Sequence, residues 1–437
     1  MKTKIAIRRE DKNEWERRTP LTPAQVEELL ARGIRVIVQP SEIRAFSEDD
    51  YRRAGATVSE DLSGVPVVLA VKEIPKDLFE QDATYVFFAH VIKGQAYNMP
   101  MLSRLLELNC TLIDYEKVTD EQGRRLIFFG RHAGLAGMLD SLWALGRRLE
   151  AEGFQTPFAS INPTHRYADL EDAKRAIREA GAEISRSGLP AELDPMVFGF
   201  AGYGNVSRGA QEIFDLLPHR EVGPQELSNI TAGAKQGPLF KTVFYEKHMV
   251  RPREQGHAFE LQDYFDNPER YEGVFEQYLP HLTVLMNCIY WTADYPRLVT
   301  RKQLERLWSG PRPRLRVLGD VSCDVEGALE CTLKCTEPDD PVFVYHVAEG
   351  KITSGVDGVG PVVLAVDNLP CELPVESSHD FGSALAPFIP AIAGADYSVP
   401  FEELDLPAPV KRAVISHRGK LAPEYTYLKE HLDRVLK

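Results

Sequence analysis

The pattern of apolar and polar positions divides the chain into two alternating series joined by one long stripe. Over residues 1–130, apolar runs at 5–7, 36–38, 65–71, 85–89 and 111–113 alternate with stretches at 22–32, 48–53 and 99–108 whose apolar side chains fall at helical spacing. Strands that lack a polar residue at every second position are buried on both faces, so this order predicts a parallel sheet covered by helices. Pro23 and Gly33 mark the start and stop of the first helix. The turn signal Asp120-Glu121-Gln122-Gly123 predicts a hairpin return over 126–129.

Leu135, Met138, Leu139, Leu142, Leu145 and Leu149 then form one apolar stripe, which predicts a helix over 133–152 that connects two domains. Residues 156–168 read as loop and 169–180 as helix. A second series of apolar runs follows at 196–201, 283–287, 315–319, 342–345 and 362–366. Residues 223–280 are polar, aromatic and weakly periodic. They are too long for a simple connection and read as an insertion. Residues 376–392 have helical spacing despite Pro387 and Pro390, and the proline- and charge-rich tail ends in a helix near 423–436. A chain of 437 residues exceeds what one core supports. The reading is an α/β protein with two Rossmann-like parallel-sheet domains and an active-site cleft between them.

The second series opens on MVFGFAGYGNVSRGA, residues 196–210: an apolar strand, then Gly202-Tyr203-Gly204-Asn205-Val206-Ser207, then a helical pattern. That order is the context in which a GxGxxG-like run binds a dinucleotide. Gly202 permits the turn, Gly204 lets the backbone approach a pyrophosphate, and the helix N-terminus supplies N–H donors and the positive dipole end. Ser207 replaces the third glycine. An ordinary strand-to-helix turn is the competing explanation. The next strand is expected to end near Val222, where an acid would bind the ribose of NAD; Gly223 stands there, and Arg208 and Arg220 are near in sequence. This favours NADPH over NADH, with Glu221 as the alternative acid.

In the first series, ionisable residues stand at the carboxyl ends of successive strands: Arg8, Arg9, Arg17 and Arg18 after the first, Lys72 after 65–71, His90 after 85–89 with Lys93 and Gln95 beyond, and Glu116 after 111–113. In an open α/β sheet those ends form the ligand crevice. Each residue alone reads as a solvated charge, a cap or a hydrogen-bonded structural histidine. Together they suit an anionic substrate and a proton-coupled step. Histidine exchanges protons near neutral pH, lysine among other cations becomes a base, and arginine holds carboxylates.

Charge and cysteine content narrow the classes. A net charge of −14 argues against nucleic acid as a partner. No apolar run is long enough to span a bilayer, and MKTKIAIRRE at the start lacks signal- or transit-peptide character. Six scattered cysteines without a CxxC pair read as reduced thiols, with no metal site and a cytoplasmic location.

The segments ERRTPLTP (16–23), AVKEIP (70–75), FFAHVIKGQA (87–96), IDYEKVTDEQGRRLIFFGRHAG (113–134), GYGNVSRGA (202–210), NCIYW (287–291), DVSCD (320–324) and DNLP (367–370) together resemble lysine–2-oxoglutarate reductase. This is the L-lysine-forming saccharopine dehydrogenase activity, found also as the N-terminal half of bifunctional aminoadipic semialdehyde synthase, in the alanine dehydrogenase/transhydrogenase superfamily. The resemblance implies condensation of L-lysine with 2-oxoglutarate and reduction of the imine by NADPH to saccharopine, in lysine degradation. It implies Lys72 and His90 as the acid/base pair, and Arg18, Lys93, Gln95, Glu116 and Arg125 as substrate ligands. Gly202, Gly204, Asn205, Val206 and Ser207 would hold the pyrophosphate, and Asn287, Tyr290 and Asp320 the nicotinamide and ribose side. Residues 1–135 plus 375–437 would form the substrate domain and 136–374 the NAD(P)-binding domain, with the insertion at about 223–280. Implied partners are the small-molecule substrates, a separate glutamate-forming saccharopine dehydrogenase, and further copies of the chain. A related amino-acid or opine-type dehydrogenase with another amine donor, and a non-catalytic NADP(H)-sensing module, remain as alternatives.

Overall fold

The computed structural model describes residues 3–232, 239–311 and 313–435. The chain forms two compact units, Met1–Phe129 with Pro374–Lys437, and Gly130–Leu373. The first begins with strands β1 (Lys4–Ile7), β2 (Arg35–Val38), β3 (Thr57–Val58), β4 (Val67–Leu69), β5 (Thr84–Phe87) and β6 (Thr111–Asp114). Helices α1 (Pro23–Ala31), α2 (Glu48–Arg53) and α3 (Met99–Glu107) lie between them. Strands β4, β5 and β6 are buried at every position, as their unbroken apolar runs require. Helix α1 starts at a capping box: the Thr22 N–H donates to Gln25 Oε1 at 2.8 Å, and Pro23 occupies the first helical position.

The second unit runs through α4 (Gly130–Ala151), α5 (Leu170–Ser187), β7 (Met196–Ala201), α6 (Asn205–Phe214), β8 (Arg220–Glu221), β9 (Leu239–Phe244), β10 (Val250–Pro252), β11 (Tyr271–Gly273), β12 (Val284–Asn287), β13 (Val317–Asp320), β14 (Val342–His346), β15 (Lys351–Ser354) and β16 (Val362–Leu364). The chain then returns to the first unit with helices Pro374–Leu385 and Ile389–Gly394, strands β17 (Val414–His417) and β18 (Lys420–Leu421), and helix Leu428–Val435.

Each unit is built on an eight-stranded sheet, β18-β17-β6-β5-β4-β1-β2-β3 in the first and β15-β14-β16-β13-β12-β7-β9-β8 in the second. Six strands of each are parallel, and the outer pairs β17–β18 and β14–β15 are antiparallel. These are the two Rossmann-like sheets expected from the apolar pattern.

Four local expectations are corrected. Residues 126–129 do not return as a strand. A single bridge, Thr119–Arg125, closes the turn, and Phe129 stacks on Phe381 with ring centroids 4.6 Å apart, so aromatic burial overrides strand pairing. The helix at 376–392 is two helices, because Pro387 has no N–H to continue the first and Pro390 sits in the opening turn of the second. Helix α4 is a core element of the second unit, buried along most of its length, and not a bare connector. The stretch 223–280 is not a simple insertion: it supplies β9, which pairs with β7 along six residues.

Candidate active site

In the first sheet the chain steps outward from β1 to β2 and β3, then crosses back to β4, so the loops after β1 and β4 part at a topological switch point. Glu10 spans that gap. Its carboxylate accepts the backbone N–H groups of Val71 at 2.7 Å and Lys72 at 2.9 Å. Burial, with the nearby Glu16, pushes its pKa up to about 7 despite those hydrogen bonds. Lys72 itself is held below the ordinary lysine range, chiefly by burial and then by the charges of Arg18 and Lys12. Arg18 is fully buried in a two-point pair with Glu16, Nε to Oε1 at 2.7 Å and Nη2 to Oε2 at 2.5 Å. Its guanidinium lies 4.1 Å from the Phe129 ring centre. The fork expected to hold a substrate carboxylate therefore already holds one of the chain's own, and Arg18 reaches the site through its charge.

His90 follows the adjacent strand β5 and adopts φ +47, a left-handed conformation costly for a residue with a side chain and concentrated at functional sites. Asn98 supports the strained turn, its Nδ2 donating to the carbonyls of Ala89 at 3.0 Å and His90 at 3.3 Å. The His90 Nδ1 lies 2.5 Å from Glu73 Oε1. Burial alone would raise the Glu73 pKa, but the hydrogen bond and charge of His90 outweigh it and hold the carboxyl at about 2. Beyond β6, Asp114 is completely buried, is raised to about 7 by burial, and accepts the Glu116 N–H at 2.9 Å. Glu116 forms an ion pair with Arg125. Lys93 is exposed, and the Gln95 amide oxygen accepts the Lys93 backbone N–H at 3.1 Å.

Lys72 and His90 thus follow neighbouring strands, with Arg18 acting electrostatically on Lys72 and Glu116 joined to Arg125. Glu10, Glu73, Asn98 and Asp114 were not singled out from sequence. Glu73 had a signal, being next to Lys72 in AVKEIP. The other three depend on contacts across loops, which spacing does not reveal.

In the second unit the switch point lies between β7 and β12. Gly202 follows β7 at φ +96, and a Cβ there would stand 3.1 Å from the Cys288 carbonyl oxygen, so the turn requires glycine twice over. A side chain on Gly204 would meet nothing within 4 Å. Gly204 is also the N-cap of α6 and gives that helix no side-chain cap. Open space above uncapped helix N–H groups is what a pyrophosphate needs, and the residues fit a dinucleotide. Asn205 and Val206 open the helix, and Ser207 is buried, accepting from Gln211 at 2.9 Å. The closest helix packing expected of Ser207 is made instead by Gly209. A Cβ on Gly209 would lie 2.0 Å from the Arg131 carbonyl oxygen in α4, and one on Gly134 would lie 1.9 Å from that of Val206.

A cavity of about 360 Å³ opens beside this turn, lined by Gly202, Tyr203 and Gly204, by Glu246 after β9, and by the segment from Cys288 to Trp291. Tyr290 lines it and is largely exposed. Asn287 and Asp320 do not line it. Both are completely buried at the ends of β12 and β13, where Asn287 Nδ2 donates to Asp320 Oδ1 at 2.8 Å and Thr332 donates to Oδ2 at 2.6 Å. Among the described residues, Cys323, Cys335 and Asp367 bring possible metal-ligand atoms within 4.8 Å of one another. They come from separate loops, so no local cysteine spacing announced the group. No described helix is long and apolar enough to cross a membrane.

Comparison with known proteins agrees with this architecture. Residues 6–136 match the family model "Alanine dehydrogenase/PNT, N-terminal domain". The chain is 37% identical over 443 residues to bovine mitochondrial alpha-aminoadipic semialdehyde synthase, covering 98% of this chain and 48% of the relative, so it spans about half the length of that protein. It is 30% identical over 397 residues to the Neurospora crassa saccharopine dehydrogenase [NAD(+), L-lysine-forming], covering 88% of this chain and 90% of the relative. A solved L-alanine dehydrogenase shares the fold at a TM-score of 0.61 and 18% identity, covering 98% of this chain and 99% of that one.

Proposed function

The chain belongs to the L-lysine-forming saccharopine dehydrogenase family, and we propose that it is a lysine–2-oxoglutarate reductase, condensing the ε-amine of L-lysine with 2-oxoglutarate and reducing the resulting imine to saccharopine. The observation that carries this reading is the placement of Lys72 and His90 after the adjacent strands β4 and β5, with His90 fixed on Glu73.

Imine formation needs an amine free of its proton and a hydroxyl that leaves as water. Burial and the charges of Arg18 and Lys12 favour the neutral form of Lys72, which suits it to take a proton from the substrate ammonium. Glu73 on Nδ1 orients the His90 ring and leaves Nε2 to deliver a proton to the departing hydroxyl. A reduced nicotinamide dinucleotide supplies the hydride. Lys93, Gln95, Glu116 and Arg125 are assigned to the carboxylate and amine groups of the substrates. Arg18, committed to Glu16, is assigned to keeping Lys72 deprotonated.

The test is loss of reduced-nicotinamide absorbance with purified protein, lysine and 2-oxoglutarate. Oxidation that requires both substrates is the expected result. Oxidation with ammonia or ornithine in place of lysine, and none with lysine, would overturn the substrate assignment.

A further inference from the structure

Three side chains that the chemistry above does not use converge at the carboxyl ends of neighbouring strands in the second unit. Strands β13 and β16 are parallel and paired from Val317–Val362 to Gly319–Leu364. Cys323 follows β13, Asp367 follows β16, and Cys335 lies on the segment between β13 and β14. The two sulfurs and a carboxylate oxygen of Asp367 all lie within 4.8 Å of one another. Ligand atoms around a tetrahedral zinc ion stand about 3.6–3.8 Å apart, so the set closes on an ion by side-chain movement of about 1 Å.

Two anchors hold the set. The first is the buried Asp320 carboxylate. One of its oxygens accepts the Cys323 N–H at 3.3 Å and the Ser322 hydroxyl at 2.8 Å, and the other accepts the Thr332 hydroxyl at 2.6 Å. Asp320 thereby draws both ends of the cysteine-bearing segment together. The second anchor is a backbone bridge between Thr336 and Val366. The Thr336 N–H donates to the Ala365 carbonyl at 2.9 Å, and the Asp367 N–H to the Thr336 carbonyl at 3.2 Å. Cys335 precedes one bridge residue and Asp367 follows the other. Cys323 itself takes φ +48, a left-handed conformation that a side-chain-bearing residue keeps only where its surroundings impose it.

The sulfurs share a hydrogen bond, and the Cys335 Sγ lies 3.3 Å from the Cys323 carbonyl oxygen. The charges of Asp367 and Asp320 bear on both thiols, and that of Asp324 on Cys335, so the field at the sulfurs is negative and draws a cation. A thiol built to react with an oxidant sits instead among positive charges that stabilise its thiolate. The third member points the same way, because a carboxylate adds nothing to a disulfide and is an ordinary zinc ligand. Cys335 and Asp367 are exposed and Cys323 is half-buried, which leaves an entry path from solvent.

We propose that Cys323, Cys335 and Asp367 bind a thiophilic divalent cation, with Zn²⁺ the first candidate and water in the fourth position. Each cysteine binds as the thiolate, and its proton passes to solvent as the metal–sulfur bond forms. The ion fastens the loop after β13 to the loop after β16.

The test needs neither substrate nor dinucleotide, so it stands apart from the reductase assignment. The full chain, untagged, reduced and free of metal, is titrated with Co²⁺ as a spectroscopic stand-in for Zn²⁺. One Co²⁺ per chain is expected, with a thiolate-to-cobalt charge-transfer band that an equivalent of Zn²⁺ abolishes. The band is expected to vanish in the double variant Cys323→Ser/Cys335→Ser. Asp367→Asn is expected to weaken binding by at least the roughly 10- to 100-fold that outer-shell partners of a metal cost. Zn²⁺ should raise the melting temperature of the wild type and not that of the double variant, whose circular dichroism and metal-free melting temperature show that it is folded. Absence of the band in the wild type overturns the proposal whatever the variants do. A band that persists in the folded double variant places the metal elsewhere and overturns it. So does a Cys323–Cys335 disulfide, seen by mass spectrometry as the loss of two hydrogens on exposure to air, in a chain whose reduced form binds no Co²⁺.

Discussion

His90, Glu73 and Lys72 form a set in which each residue's chemistry depends on a neighbour. Removing the imidazole or the amine removes one proton-transfer group, so His90→Ala and Lys72→Ala are each expected to lower turnover by about 10² or more while leaving dinucleotide binding intact. Unchanged turnover in both would remove their assignment. Glu73 is a positioning residue, and its effect is distinguishable. The hydrogen bond and charge of His90 hold the Glu73 carboxyl at about 2. Glu73→Gln keeps the size of the side chain but removes the charge that orients the ring, so turnover is expected to fall by less than in His90→Ala, with KM for both substrates little changed. An unchanged turnover in Glu73→Gln would remove the positioning role. The sequence displayed Lys72 and His90 because an ionisable residue after an apolar run is conspicuous. It did not display the Arg18–Glu16 pair, because a buried arginine and an exposed one have the same letter, and only burial turned an expected substrate ligand into an electrostatic neighbour of Lys72.

Among the elements, the α4–α6 contact sets the position of the glycine turn, since α6 begins directly after it. Backbone meets backbone there at Gly134 and Gly209, and a methyl on either would enter a carbonyl oxygen at about 2 Å. Neither neighbour is a side-chain tip that can swing aside. Gly209→Ala is expected to cost about 1–3 kcal/mol or more, the range for overpacking, and Gly209→Val more still. Both should weaken dinucleotide binding by displacing α6, whereas Gly204→Ala, which meets no protein atom, should weaken binding with little change in melting temperature. Calorimetry beside a binding titration separates the two cases. The long, uniform elements were legible in the sequence: β7, α4 and the central parallel strands announce themselves by unbroken apolar runs or a full helical stripe. The strands that escaped were those embedded in polar surroundings. Strand β9 reads LFKTVF, with Lys241 buried and its Nζ 2.8 Å from Asp215 Oδ1, so a core strand carried a charge that disguised it. Strand β17 ends in a buried His417, whose Nδ1 is 2.9 Å from Thr111 Oγ1. In both, a long-range polar contact satisfies a residue that local pattern assigns to the surface.

For the whole molecule, the buried carboxyl groups decide how stability follows pH. Burial raises Glu10 and Asp114 in the first unit to about 7. In the second unit it raises Glu372 to about 8 and Asp140 in the same direction, with the negative charge of Glu372 adding to the rise at Asp140. A carboxyl whose folded pKa lies above its unfolded value stabilises the fold fully below the unfolded pKa. That contribution is lost as pH rises through the folded value, so these groups destabilise the chain between about pH 4.5 and 8. Glu73, held at about 2, acts in the opposite sense, and its contribution is lost as pH falls from about 4.5 to 2. A net charge of −14 at pH 7 adds self-repulsion that grows as the buried acids ionise. Stability is therefore expected to peak on the acid side of neutrality. The melting temperature should fall between about pH 6 and pH 8.5, by roughly 2–4 °C for each kcal/mol lost. Glu372→Gln, which keeps the shape and cannot ionise, should reduce that fall, and scanning calorimetry of the two proteins across this range measures it. A melting temperature that is flat or rises toward pH 8.5 would show that these carboxyls ionise without cost. The proposed chemistry pulls the other way, since proton abstraction by Lys72 would gain from every step toward alkaline pH. The working range is then set by two opposed conditions, an amine free of its proton and buried acids that keep theirs. Burial, by lowering Lys72 and raising the carboxyls, brings those two conditions closer together.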